Sequence, residues 1–289
     1  MSQGPINKTM DRDDLDRPEC RRIAEEVWDL MRWMQGRGLQ YSTWIGTLGP
    51  DPLLDEIQRI NRGPHYEPFE GAFGDERWPW FRLWEAAWLT THAALEPGMR
   101  VLDIGGCCSL FSSYLASKGM DVTSIDINPA LAAAANEVAE RAGWKLKAVQ
   151  MDMGSMDFPQ GSFDRIFSVC VYEHIPEETR IGTNRSIRGL LRPGGRFCIS
   201  FDYRNPEPGM NIDSPEEVRR QFIEPLGLEV LGNQEFYDNG KRYLFHPWFA
   251  DRWTRFKRVA RRRLPLSCLW SDRRAYYTFA ALFCERDAP

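Results

Sequence analysis

The sequence predicts an α/β fold, and two observations carry that expectation. The run Val101-Leu102-Asp103-Ile104-Gly105-Gly106-Cys107-Cys108-Ser109 passes from an apolar stretch to a carboxylate and a glycine pair, and residues 110–116 follow at helical spacing. That is the sequence form of a strand, a tight turn and a helix N-terminus. Further on, Val122-Thr123-Ser124-Ile125 reads as a second strand ending in Asp126. Glycine lets the backbone turn sharply and approach a ligand, and a helix N-terminus offers unpaired N–H groups. A carboxylate at the second strand end can accept hydrogen bonds from both hydroxyls of a ribose. Asp103, Gly105, Gly106 and Asp126 together read as a nucleoside-cofactor site.

The residues narrow the cofactor. A nicotinamide fingerprint needs G-x-G-x-x-G, and counting from Gly105 its later positions hold Cys107 and Leu110. A carboxylate two residues before the first glycine would repel a pyrophosphate. It suits a cofactor that carries an ammonium and a sulfonium, S-adenosylmethionine. The stretch resembles the D-x-G-x-G-x-G motif of the class I S-adenosylmethionine-dependent methyltransferases, in their small-molecule branch, with Cys107 and Ser109 in the second and third glycine positions.

Later segments extend the resemblance in order. Residues 129–142 read as a helix, and Ala148-Val149-Gln150-Met151-Asp152-Met153 as the third strand. Phe163-Asp164-Arg165-Ile166-Phe167-Ser168-Val169 reads as the fourth, followed by Cys170-Val171-Tyr172-Glu173-His174-Ile175-Pro176, which is similar to the family's EHIP stretch. Leu190-Leu191-Arg192-Pro193-Gly194-Gly195-Arg196 matches the turn into a fifth strand over 197–201. Ser214, followed by Pro215, Glu216 and Glu217, is a capped helix start. Residues 228–236 and 277–284 supply two more strands. The resemblance implies a Rossmann-like, seven-stranded, mostly parallel sheet with helices on both faces and an antiparallel last strand. It also implies roles. Gly105, Gly106 and Cys107 would pass close to the methionine portion, supported by Asp103. Asp126 would hold the ribose, with Ile127 against the adenine and Asp152 and Met153 at its edge. Ser168 and Val169 would line the methyl side. Asp152 has an ordinary alternative as a helix cap.

Composition bounds the rest. The chain has 289 residues and a net charge of −4, which argues against wholesale nucleic-acid binding. Its seven cysteines are scattered and several fall in expected strands, so they read as reduced residues of a cytoplasmic protein. Neighbouring Cys107 and Cys108 read as small buried residues. The N-terminus lacks the apolar core of a signal peptide, and no run is long enough for a membrane span.

Two regions stand apart from the domain expected over 96–289. Residues 1–95 read as a helical, tryptophan-rich N-terminal cap, with Ile23, Val27, Leu30, Met31 and Met34 at helical spacing, a second helix over 52–60, and a glycine- and proline-rich run over 61–74. Most of the aromatic residues there anchor the cap. Trp80, Arg82 and Trp84, just before the first strand, are its candidates for substrate contact. Residues 240–274 form a basic insertion before the last strand, with eleven basic and two acidic residues. Phe249, Trp253, Phe256, Ala260 and Leu264 share one helical face, with arginines on the others. Such a helix can lie on an anionic membrane, grip an anionic substrate or RNA, or dock as a solvated surface element. Peripheral contact with the inner membrane surface through 249–264 is one expectation.

The expected function is methyl transfer from S-adenosylmethionine to a small-molecule, sugar or lipid-linked acceptor, at oxygen. His174 is the candidate general base, with Glu173 beside it. Related quinone-pathway O-methyltransferases bind a metal through E-x-x-E-H. Here Cys170 takes the first position, so no metal is expected. Two rivals are a binding protein of the same fold without turnover, suggested by Cys107 and Ser109, and an RNA methyltransferase, suggested by the basic insertion. Against the second, the fourth strand lacks N/D-P-P-Y and no RNA module is attached.

Overall fold

The computed structural model describes residues 4–43, 46, 48, 79–205, 212–243, 256, 260 and 277–288. The expected helix at 52–60 and most of the basic insertion lie outside these residues. Within them, parallel strands β2 (Arg100–Ile104), β3 (Asp121–Asp126), β4 (Leu146–Gln150), β5 (Phe163–Val169) and β6 (Leu191–Tyr203) form the body of one sheet. β8 (Thr278–Glu285) runs antiparallel beside β6. With β1 (Lys8–Thr9) at one edge, the order is β1-β8-β6-β5-β2-β3-β4, with the short β7 (Glu229–Val230) also on β8. β2 therefore has β3 on one side and β5 on the other. This reversal of direction across the sheet opens a crevice at its carboxyl end.

The helices follow from patterning and caps. α1 (Pro18–Gly36) buries Cys20, Ile23, Ala24, Val27, Met31 and Met34 along one face. α2 (Trp80–His92) is buried over its first ten residues. α3 (Leu110–Ser117) starts at Ser109, whose side chain accepts from Ser112 N, and α4 (Pro129–Ala142) starts at Asn128, which accepts from Ala130 N. α5 (Glu177–Leu190) leads directly into β6. Two large apolar clusters take alternate residues of β8: Phe279, Ala281 and Phe283 pack with α1, α2 and α3, whereas Ala280, Leu282 and Cys284 pack with Ile187, Val218 and Phe222. That alternation places helices on both faces.

Two elements depart from expectation. The strand expected at 228–236 is only Glu229–Val230, because the N-terminal segment takes the adjoining positions. In β1 (Lys8–Thr9), Lys8 pairs Ala281 and Thr9 pairs Ala280. Asn233 Oδ1 accepts from Ile6 N and Asn7 N, at 2.8 and 3.0 Å, and turns the chain aside. Thus the segment expected as a helical cap also adds a strand. The third strand stops at Gln150, since Asp152 caps a 3-10 turn at Met153–Ser155. Ser214 does cap α6 (Pro215–Val218), which widens into a π turn (Arg219–Ile223) and ends in α7 (Glu224–Leu226). Pro225 has no N–H for the carbonyl of Gln221, which accepts from Asn184 Nδ2 at 2.9 Å instead.

Candidate active site

A cleft of about 830 Å³ lies over the carboxyl ends of β2, β3, β5 and β6. Its size falls in the range of about 300–1,000 Å³ usual for small-molecule sites. One end is built on the turn after β2. Gly105 has φ +77°, and a Cβ there would sit 2.6 Å from Val171 Cγ1. A Cβ on Gly106 would sit 1.9 Å from Asp103 Oδ2, so only glycine lets the turn fold over that carboxylate. Asp103 is buried and accepts from Ser112 Oγ at 2.5 Å. Its Oδ1 has no hydrogen-bond partner among the described residues, although Asp103 lines the cleft. Burial, and then the charge of Asp126, push its carboxyl up to about 7 against the Ser112 hydrogen bond. A buried acceptor without a partner needs a donor. A cationic group entering the cleft meets that need.

Ser109, in a family glycine position, is the N-cap of α3, so a serine there has a local purpose. Cys107 and Cys108 are buried free thiols, both pushed up to about 12 by burial. Cys108 adopts φ 57°, a conformation that favours glycine. Its carbonyl accepts from Ser42 N at 2.7 Å, which seats the chain after α1 against the turn. Ser42 and Thr43 thereby join the cleft wall.

Asp126 is half-buried at the end of β3, and its Oδ1 accepts from Asn128 N at 2.8 Å. Burial raises its carboxyl against that hydrogen bond. Ile127 stands beside it, 71 % exposed, at the cleft edge. Asp152 and Met153 also line the cleft, Asp152 Oδ1 accepting from Gly154 N at 2.7 Å. An exposed apolar side chain flanked by two carboxylates fits the flat face and polar edge of a nucleoside.

The other end is built from α2, the turn after β5, and the ends of β6 and β8. Arg82, Cys170, His174, Asp202, Asn205, Tyr277 and Phe279 line it. Glu85, fully buried on α2, accepts from Arg82 Nη1 at 2.6 Å, Ser200 Oγ at 2.7 Å and the Cys170 thiol at 2.6 Å. This holds Arg82 in place, its guanidinium 5.4 Å from the Phe279 ring. Cys170, Glu173 and Asp202 bring possible ligand atoms within 4.8 Å of one another. The Cys170 proton is engaged by Glu85, and burial, then Glu85, hold the thiol well above its ordinary value, whereas a metal takes the thiolate.

The structure thus brings Asp103, Gly105, Gly106, Asp126, Ile127, Asp152, Met153, Val169, His174 and Arg82 to one cleft. Five other candidates do not line it. Ser168 is buried and donates to the carbonyl of Ile104 at 3.1 Å. Cys107 packs against α4. Glu173 is buried, its Oε1 accepting from Asp202 N at 2.9 Å. Trp84 donates to Asp14 Oδ2 at 3.0 Å and stacks on Trp88, and Trp80 packs edge-on against Tyr243. These two tryptophans anchor α2 to the protein. Sequence reasoning missed Asp202, Asn205, Tyr277, Ser42 and Thr43. Asp202 had a usable signal, since it ends an apolar strand as Asp103 and Asp126 do.

A sheet reversing at its central strand, with an acid and a glycine turn there and a second acid on the next strand, defines a class of nucleoside-cofactor enzyme. Comparison with known proteins specifies it. A family model described as a methyltransferase domain matches residues 102–199. A ubiquinone biosynthesis O-methyltransferase of Xanthomonas axonopodis pv. citri is 35% identical over 174 residues, covering 54% of this chain and 71% of that protein. A sterol 24-C-methyltransferase of Gibberella zeae is 35% identical over 187 residues, covering 57% of this chain and 49% of that protein. The chain therefore spans about half the length of the sterol enzyme. Among solved structures, the [4+2]-cyclase SpnF matches with a TM-score of 0.53 at 18% identity, over 82% of this chain and 93% of that one. The YcgJ protein of Bacillus subtilis matches at 0.51 and 16%, over 71% and 99%. The chain belongs to the class I S-adenosylmethionine-dependent methyltransferases, and S-adenosylmethionine is its cofactor.

Proposed function

We propose that this protein methylates a hydroxyl oxygen of a small-molecule, sugar or lipid-linked acceptor. The observation that carries the reading is one cleft with two chemically different ends, a nucleoside end at Asp103 and Asp126 and a polar end at the buried Arg82 and Asp202 with the exposed His174. When bound, S-adenosylmethionine supplies a methyl group already activated on a sulfonium. Asp103 Oδ1 would accept from its ammonium, the Gly105–Gly106 backbone would lie along its methionine portion, and Asp126 would hold its ribose hydroxyls. Asp152 and Met153 would meet the adenine edge, with Ile127 against its face, and Val169 would line the methyl side. The protein's remaining tasks are to align the acceptor oxygen and to exclude water. Arg82, fixed by Glu85, would orient an acceptor through a polar or anionic substituent. Of the two groups that the sequence offers for the acceptor's proton, His174 reaches the cleft and Glu173 stands behind it.

The test is incubation with methyl-labelled S-adenosylmethionine and a fractionated extract. A labelled methyl ether formed together with S-adenosylhomocysteine supports the reading. Cofactor binding without any labelled product favours the second reading, a protein of this fold put to other use, as the fold of SpnF allows. A lipid-linked acceptor would suit peripheral membrane contact by the basic segment over 249–264, which its sequence leads one to expect as a helix. That proposal rests on the sequence, because among those positions only Phe256, 51 % exposed, and Ala260 are described. No helix among the described residues is long and apolar enough to cross a membrane.

A further inference from the structure

Asp202 is among the cleft residues absent from the sequence candidates. It occupies the last turn of the pleat in β6, opposite Phe279 of β8, on the same side of the sheet as Ser200. Ser200 reaches Glu85 of α2, so that side faces the Arg82–Glu85 pair. Asp202 is buried yet lines the cleft, and its Oδ2 accepts from Asn205 Nδ2 at 2.5 Å. The groups facing it are Arg82 from α2, Cys170 from the end of β5, Glu173 and His174 from the following turn, and Asn205 beyond β6.

The alternatives for holding a proton at this end fall away one by one. Arg82 stays protonated and cannot accept. The Cys170 proton is committed to Glu85. Glu173 has a fully buried side chain that does not line the cleft, and its Oε1 is bound to the backbone of Asp202. His174 lines the cleft at its outer side, its side chain 49 % exposed and its Nε2 3.9 Å from Glu173 Oε1, beyond hydrogen-bond reach. Among the described residues no hydrogen bond orients its ring.

We infer that Asp202 is the catalytic base, taking the proton of a phenolic or enolic acceptor hydroxyl, with Glu173 as its positioning residue and His174 on the exit path to solvent. The inference rests on the oxygen-acceptor reading above and narrows it to an acceptor class. The acceptor oxygen forms a bond to the methyl carbon, the carbon–sulfur bond breaks with its electron pair staying on sulfur, and the O–H proton passes to an Asp202 carboxylate oxygen. The products are a methyl ether, neutral S-adenosylhomocysteine and a protonated Asp202, which returns its proton to solvent when the products leave. Burial, then Glu173, push the Asp202 carboxyl above the usual carboxylate range, against His174, Asn205 and Arg82. Its carboxylate is therefore more basic than an ordinary one. Such a base matches an acidic hydroxyl better than an aliphatic alcohol. The rings of Tyr277, Phe279 and Phe111 on the same cleft offer a planar acceptor its apolar contact.

The test uses the full chain, S-adenosylmethionine, and phenol, catechol and 4-hydroxybenzoate as probes, with methyl ethers identified by mass spectrometry. The wild type should give ethers with kcat rising with pH through an inflection above the usual carboxylate range. Asp202→Asn should lower kcat about 100-fold and flatten that profile, Asp202→Glu should recover part of it, and S-adenosylhomocysteine affinity should stay within about twofold in both. An Asp202→Asn protein with wild-type kcat and inflection would overturn the assignment and leave the methyltransferase reading standing. Loss of S-adenosylhomocysteine binding in both variants would make the residue structural and overturn it equally. Ethers from extract acceptors but from none of the phenols would overturn the acceptor class. No ether from any source would remove the oxygen reading itself.

Discussion

With Asp103 on the cofactor's ammonium as proposed, affinity should depend on pH in a way that can be worked out from the structure. Burial, and the nearby Asp126, push its carboxyl up to about 7, so below that pH the empty cleft holds it protonated. A protonated carboxyl cannot pair with the cofactor's ammonium, and its proton must leave on binding. Affinity should therefore be nearly constant above pH 7 and fall about tenfold per unit below it, reaching a loss of about 30-fold at pH 5.5. Calorimetry of S-adenosylhomocysteine in buffers of different ionisation enthalpy measures the same event as released protons, about 0.9 per site at pH 6 and about 0.25 at pH 7.5. Asp103→Asn should abolish the slope. It should also weaken binding at pH 7.5 roughly 10- to 150-fold, the equivalent of a charge-assisted hydrogen bond worth about 1.5–3 kcal/mol. An affinity flat from pH 5.5 to 7.5, or the same slope in Asp103→Asn, would refute the argument.

Other expectations follow from single side chains. With Asp126 on the ribose hydroxyls as proposed, Asp126→Ala should weaken S-adenosylmethionine binding about tenfold or more by calorimetry, with an unchanged circular dichroism spectrum. His174→Ala should lower turnover about tenfold, less than Asp202→Asn, with cofactor affinity preserved; an equal or larger loss of turnover would make His174 the base. His92 is packed between Trp88 and Phe283, and burial, then Arg17 and Lys8, lower its imidazole to about 4. The unfolded chain takes up that proton from about pH 6.5, so stability should fall as pH drops from about 6.5 towards 4, by up to about 1.4 kcal/mol per unit. His92→Phe should blunt the fall in thermal midpoint over that window. Replacing Arg258, Arg261 and Arg262 with glutamine should release the protein from anionic liposomes at low salt; a wild type that stays in the supernatant would remove the membrane proposal.

The sheet and the convergence of Asp103, the glycine turn and Asp126 on one cleft were largely legible because local chemistry specifies them. A strand ending in an acid, a glycine turn and a capped helix are all written within about fifteen residues, and β5 falls where its apolar run says. The acceptor end was not, because it is assembled from α2, β6 and β8, and periodicity reports which face a residue shares rather than what stands opposite. Trp84 illustrates the difficulty. Its large ring before the first strand suggests a substrate contact, yet Asp14, seventy residues away, takes its N–H. The truncated β7 has the same origin, since nothing near residue 230 announces that Lys8 and Thr9 will occupy the adjoining edge of β8.

The central claim is that this cleft binds S-adenosylmethionine and spends its methyl group on an acceptor. The most direct measurement is S-adenosylhomocysteine formation by wild type and Asp126→Ala, with methyl-labelled cofactor held well below the wild type's dissociation constant, and a fractionated extract as acceptor source. Labelled product and S-adenosylhomocysteine should form in equal amounts with the wild type, and about tenfold less of both with the variant. Tight cofactor binding by the wild type with neither product formed, across all fractions, would contradict it.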